Sequence, residues 1–96
     1  MKQRFVVTYD ISDPKRLRKV FKVMRGFGRH IQLSVFLCDL NPLGLARLKA
    51  ELVGVIAPSE DQVLIVDIGP ADGRGAEVVE SLGRPYVPGV SGALVL

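Results

Sequence analysis

From Phe5 to Tyr9 the chain is β-branched and aromatic, and apolar on both sides of an extended backbone: Phe5, Val7 and Tyr9 on one, Val6 and Thr8 on the other. Such a strand must be central in its sheet and covered on both faces. A 96-residue chain has few ways to supply two covers. One layer of helices serves one face. A chain this short buries only part of its surface, so a second copy is the simplest cover for the other.

The helices follow from the pattern. Asp10 continues the Val6/Thr8 face, and Ser12-Asp13-Pro14 is a helix start, with an acceptor side chain before the helix and proline at its first turn. Leu17, Val20, Phe21, Met24 and Phe27 recur at helical spacing, while Lys15, Arg18, Lys19, Lys22 and Arg25 point mostly the other way; Gly26 and Gly28 end the helix. From His30 to Leu40, Ile31, Leu33, Val35 and Leu37 alternate with Gln32, Ser34, Phe36 and Cys38, as one long bent strand or two short ones meeting near Ser34. Asn41-Pro42 opens a second helix with Leu45, Leu48, Leu52, Val55 and Ile56 as its buried stripe. Gln62 to Ile68 is another buried strand, closed by Gly69-Pro70. Residues 71–92 form a Gly/Pro-rich arm with one short helical turn, Glu77 to Leu82, and Ala93 to Leu96 make a final apolar strand.

The order β-α-β(β)-α-β predicts an α+β fold, a ferredoxin-like β-α-β-β-α-β sandwich with both helices on one sheet face. Residues 1–70 are its core, and residues 71–96 a C-terminal arm of the same domain. The helix-free faces of two chains then meet sheet to sheet in a homodimer, with the terminal strand added to the partner's sheet edge.

With 48% hydrophobic and 24% charged residues, the composition is that of a folded globule. The longest apolar runs, such as Val63 to Val66, are too short to span a bilayer, so no membrane role is expected. The first residues lack a signal-peptide core, and Cys38 is alone; both lead to the expectation of a cytoplasmic protein. Charge is unevenly placed. Residues 1–30 hold nine cations against two acids, and residues 31–96 hold four cations against eight acids. A basic end of this kind is what a polyanion-binding surface requires, although a solvated helix exterior also accounts for it.

Asp10 leads the candidate site residues. A carboxylate at the end of a buried strand either caps the turn into the first helix or serves chemistry. In a face-to-face dimer, a two-fold axis brings two copies of Asp10 together, and a hard divalent cation such as Mg2+ relieves their repulsion. Among the cations, Lys15, Arg16, Arg18, Lys19 and Arg29 suit phosphate contacts, with Arg16 and Arg18 nearest Asp10 in the chain. Lys22 and Arg25 are equally well read as helix exterior. His30 reads as a strand-start residue, with no nucleophile motif beside it. Cys38 reads as a small core residue, and one His with one Cys excludes an intrachain zinc site. Residues 69–75 are Gly-rich but lack the Lys-Ser/Thr of a phosphate loop. Asp39 and Asp67 lie at strand ends without any spacing that ties them to Asp10. Two Tyr, four Phe and no Trp argue against a base-stacking sheet.

Three segments, Val7-Thr8-Tyr9-Asp10-Ile11-Ser12-Asp13, Lys15-Arg16-Leu17-Arg18-Lys19-Val20 and Gly28-Arg29-His30-Ile31-Gln32-Leu33-Ser34-Val35-Phe36, together resemble the CRISPR-associated protein two family. The second helix, the strand Val63 to Ile68 and the closing Leu-Gly-Arg-Pro extend the resemblance over nearly the whole chain. It implies a cytoplasmic ferredoxin-like homodimer of prokaryotic antiviral defence, a magnesium-dependent endonuclease acting on RNA or duplex DNA. It also implies a scaffold role in spacer acquisition beside the integrase, CRISPR-associated protein one. The family's metal-binding aspartate falls on Asp10, and its second-strand serine and phenylalanine fall on Ser34 and Phe36, with Tyr9 beside the acid. Its helix arginines fall most nearly on Arg16 and Arg18, although many relatives carry an arginine where this chain has Leu17. Two functions stand from this: a metal-dependent phosphodiesterase using paired Asp10 carboxylates, or a non-catalytic DNA-binding scaffold in which Asp10 is structural. A small-molecule regulatory module on the same fold is disfavoured by the basic first helix.

Overall fold

The computed structural model describes residues 1–72 and 79–86. Its elements run in the order β1 (Gln3–Asp10), α1 (Pro14–Phe27), β2 (Arg29–Gln32), β3 (Val35–Leu40), α2 (Pro42–Val53) and β4 (Gln62–Pro70). The four strands form one sheet in the order β2-β3-β1-β4, every neighbouring pair antiparallel. This is the ferredoxin-like split β-α-β arrangement expected from the sequence.

Register fixes which residues share a face. Val7 lies opposite Phe36 and Ile65, and Phe5 opposite Cys38; these side chains face the helices. They form one core with Tyr9, Val20, Phe21, Met24, Leu48 and Leu52. The even-numbered residues of β1 face away: Val6 lies opposite Leu37 and Val66, Thr8 opposite Val35 and Leu64, and Asp10 opposite Gln62. On this helix-free side Leu64 and Val66 are about half exposed, at 50% and 49%. The strand that reads as apolar on both sides thus has one helical cover, and its second side presents apolar side chains to the surroundings.

Local chemistry sets the element ends. Asp13 caps α1 by accepting the Arg16 N–H, and Asn41 caps α2 by accepting the Gly44 N–H at 2.8 Å. Gly26 lies inside α1, and Gly28 is its C-cap, with φ −161°, an extended conformation open to any residue. Glycine is required there for another reason. A Cβ at position 28 would collide with the Leu37 carbonyl oxygen and the Cys38 sulfur, so the helix end sits hard against β3.

The stretch His30 to Leu40 resolves into two strands joined by a turn at Leu33-Ser34. Leu33 holds φ +37°, a conformation in which β-carbon crowding disfavours non-glycine residues. Two hydrogen bonds fasten this turn. The His30 Nε2–H donates to the Leu33 carbonyl at 2.7 Å, and the Tyr9 N–H donates to the Ser34 carbonyl at 3.2 Å. The helical turn expected over Glu77 to Leu82 falls partly outside the described residues, and its described part, Val79 to Leu82, is not helical. The terminal strand expected at Ala93 to Leu96 lies outside them.

Candidate functional site

Asp10 ends β1 on the helix-free face and is exposed. Among the described residues its carboxylate has no hydrogen-bond or ion-pair partner. The capping alternative belongs to Asp13, whose carboxyl is held below the usual carboxylate range chiefly by the Arg16 N–H.

Arg16 is occupied. Its Nε donates to Asp61 Oδ2 at 2.7 Å, and its Nη2 donates to Asp61 Oδ1 and to Ser12 Oγ, both at 3.2 Å. Glu60 lies 3.7 Å away on its outer side. Asp61 has no exposed side-chain surface. It also accepts the Ser12 N–H at 3.0 Å, the Ser12 hydroxyl at 3.2 Å and the Ala57 N–H at 2.8 Å. The Arg16 guanidinium, followed by the Ala57 amide, therefore drives its carboxyl far below the ordinary range. Sequence reasoning missed Asp61, because nothing in its spacing links a loop acid before β4 to a helix arginine 45 residues earlier. One signal was present: an acid pair, Glu60-Asp61, immediately preceding an apolar strand.

The other cations of α1 are differently placed. Lys15, Arg18, Lys19, Lys22 and Arg25 are all exposed, and α1 itself contains no acid. None of the five forms an ion pair among the described residues. Arg25 sits over the Phe21 ring at 5.8 Å. This ridge lies on the far side of α1 from the sheet, whereas Asp10 lies beyond the sheet's other face. A helix radius and one packing layer separate them by roughly 15 Å.

Arg29 shares the Asp10 face, since it lies opposite Leu37 in the register. Counting strand rise and strand spacing, it is roughly 17 Å from Asp10 within one chain. It belongs instead with Arg4 and Asp39 at the opposite end of that face. There Arg4 donates to Asp39 from Nε at 2.7 Å and Nη2 at 2.9 Å, which lowers the Asp39 carboxyl pKa. Asp67 accepts weakly from Gln3 Nε2 at 3.3 Å. Neither acid approaches Asp10 along the sheet.

Tyr9 and Phe36 face the core, not the site. Phe36 is fully buried, with ring centroids 6.3 Å from Tyr9, 5.7 Å from Phe21 and 4.9 Å from His30. Burial pushes the Tyr9 phenol up to about 12, and its buried hydroxyl has no partner among the described residues. It is therefore a neutral packing group at physiological pH. Ser34 acts through its backbone carbonyl. His30 lies in the aromatic cluster, and Cys38 is a core residue whose thiol burial pushes up to about 12.

A family profile described as CRISPR associated protein Cas2 matches residues 3–73. The chain belongs to the Cas2 family. It is 36% identical over 96 residues, the whole of both chains, to the CRISPR-associated endoribonuclease Cas2 of Geobacter sulfurreducens. It is 45% identical over 82 residues to the CRISPR-associated endoribonuclease Cas2 1 of Rhodospirillum rubrum, covering 85% of this chain and 79% of that one. Among solved structures, Streptococcus pyogenes Cas2 superposes with a TM-score of 0.73 at 32% identity, covering 83% of this chain and 99% of that one. The Cas2 match spans every element from β1 to β4, and with them both Asp10 and the Arg16–Asp61 pair.

No group of three or more His, Cys, Asp or Glu suited to a metal occurs among the described residues. Asp61, Asp13 and Asp39 are each engaged by donors, which leaves Asp10 as the acid beside the helix-free face with oxygen atoms to offer. One carboxylate per chain fits a hard, water-rich cation such as Mg2+ only when a second carboxylate joins it.

Proposed function

We propose that this chain is a homodimeric, metal-dependent endonuclease of a CRISPR system, hydrolysing phosphodiester bonds in RNA or duplex DNA. The observation that carries this is Asp10: exposed, unpartnered among the described residues, and at the end of a sheet face whose Val6, Leu64 and Val66 call for an apolar cover. Two such faces packed about a two-fold axis bring the Asp10 carboxylates towards one locus.

The pair of Asp10 carboxylates would hold the divalent cation, with Mg2+ the best match to two oxygen donors and retained waters. When bound, such a cation lowers the pKa of a coordinated water and offsets charge on the phosphodiester. The protein's own contributions are distinct. Asp10 supplies the oxygen donors and the negative charge that would draw the cation to the two-fold axis. Lys15, at the start of α1, is the exposed cation nearest Asp10 in sequence and serves to hold a neighbouring phosphate. Arg18 and Lys19 continue the track along the helix.

A second reading, a DNA-binding scaffold that bridges subunits of the integrase CRISPR-associated protein one, is favoured by one specific observation. The α1 cations beyond Lys15 face away from Asp10, so a nucleic acid lying along them alone is out of reach of that acid. Asp10→Asn separates the two. The endonuclease reading expects cleavage to fall at least a hundredfold, with duplex binding and the sedimentation coefficient unchanged. Cleavage that persists in the purified variant would refute it, and binding without cleavage in the wild type would favour the scaffold.

A further inference from the structure

We infer that Asp61 and Arg16 form a clamp on the turn that follows Asp10, and that Arg16 is a positioning residue, not a phosphate contact. The inference deepens the endonuclease reading above and rests on Asp10 being the reacting acid.

The two oxygens of Asp61 receive five donors from three segments. Oδ1 takes the Ser12 N–H, the Ser12 hydroxyl and Arg16 Nη2; Oδ2 takes Arg16 Nε and the Ala57 N–H. A carboxylate has about four lone-pair sites, so Asp61 is saturated and has no oxygen left for a metal. The two Arg16 nitrogens seen in contact are likewise spent on Asp61 and Ser12, and the neighbouring Asp61 charge cancels the attraction a phosphate would feel. Glu60, at 3.7 Å, adds a second negative charge on the outer side.

What the clamp holds is specific. Asp10 pairs with Gln62 in the sheet, and the next contact along the same two segments is Ser12 with Asp61. The chain leaving Asp10 is therefore stapled to the chain entering β4 at two successive points, while Arg16 ties the same staple to the first turn of α1. Three elements converge on the residue after next from Asp10. An exposed carboxylate with no partner of its own among the described residues takes its direction from its backbone, and that backbone is set here.

The test uses the full chain. Arg16→Gln, Arg18→Gln, Asp61→Asn and the Arg16→Gln/Asp61→Asn double variant are compared in duplex-DNA binding over a range of salt and in single-turnover cleavage. For Arg16→Gln the inference expects affinity within about twofold of wild type and an unchanged salt slope. Arg18→Gln should flatten that slope by about 0.9, the value of one released counterion. Cleavage should drop about tenfold or more in kcat for Arg16→Gln and for Asp61→Asn with KM preserved, and the double variant should be no worse than the weaker single. Arg16→Lys, which keeps the charge and loses the fork, should recover only part of kcat. A slope that flattens by about one unit on Arg16→Gln, or losses that multiply in the double variant, overturns the clamp. If Asp61→Asn does not fold, Ser12→Ala takes its place in the cycle with the same expectation.

Should the wild type cleave nothing, the endonuclease reading fails and the clamp is still decided without turnover. Arg16→Gln must move the Asp10 and Ile11 amide resonances while Arg18→Gln leaves them in place; unmoved resonances in Arg16→Gln refute it.

Discussion

Phe36 offers a direct test of how the aromatic residue of the second-strand motif works. It is fully buried, packed between Tyr9, Phe21 and His30, and directed at the helices. Removing its ring opens a cavity that β3 and α1 cannot collapse into, because Gly28 already seats α1 against Leu37 and Cys38. Phe36→Ala should therefore cost about 3–5 kcal/mol. A domain of this size holds roughly 5–14 kcal/mol in total, so the variant should lose about a fifth or more of its stability. At about 4–8 °C per kcal/mol, melting falls by at least 12 °C. Phe36→Leu, which keeps most of the volume, should cost about 1–2 kcal/mol. Urea denaturation followed by far-UV circular dichroism, at one fixed protomer concentration, gives these values. Nucleic-acid binding by the folded fraction should be unchanged in both variants. The reasoning fails if Phe36→Ala melts within about 0.5 kcal/mol of wild type while losing binding or cleavage, for then the ring touches substrate.

The carboxyls of Asp61, Asp13 and Asp39 have pKa values depressed in the folded chain. Their contribution is complete above the unfolded carboxyl range near pH 4 and is lost as pH falls through the folded values. Thermal melts should thus decline steeply below about pH 5, with a shallower decline in Asp61→Asn; equal slopes would contradict the assignment. Gly28→Ala should lower stability by about 1–3 kcal/mol in urea titration, since its methyl meets backbone oxygen. Leu64→Glu with Val66→Glu, both on the helix-free face, should convert the expected dimer to monomer in sedimentation velocity with the circular dichroism spectrum unchanged. A dimer that survives both charges means that another surface joins the chains.

Much of this architecture is legible in the residues. The Phe5–Tyr9 strand, the Asp13 and Asn41 caps followed by proline, and the apolar stripes of both helices are local signals, and local geometry obeys them. The choice between one bent strand and two meeting near Ser34 is not legible, because a leucine at positive φ contradicts its own propensity and the turn is fastened by the Tyr9 N–H, a contact from β1. The site divides in the same way. Asp10 is readable because alternation alone puts it on the Val6/Thr8 face. The fate of Arg16 is not, since helical spacing gives its direction and not the buried acid that meets it from a distant loop. Phe36 shows what motif reading leaves open: its ring is taken up by the core, whereas Asp10 lies on the sheet's other side.

That division into sides governs what the molecule can do with a nucleic acid. The cations of α1 and the Asp10 carboxylate are separated by the sheet, and the first turn of α1, at Lys15, is where one surface gives way to the other. A strand bound along the helix must pass that turn to reach the acid, and Arg16, taken up by Asp61, does not pull it there. Lys15→Gln should therefore affect both activities. It should lower duplex affinity like any other ridge cation, and it should lower kcat as well, because it is the one exposed α1 cation on the path to Asp10. Lys22→Gln, two turns further along, should weaken binding and leave kcat at saturating substrate alone. Measured side by side in single-turnover kinetics, equal kcat values for the two variants would mean that the substrate reaches Asp10 by a route that avoids the helix.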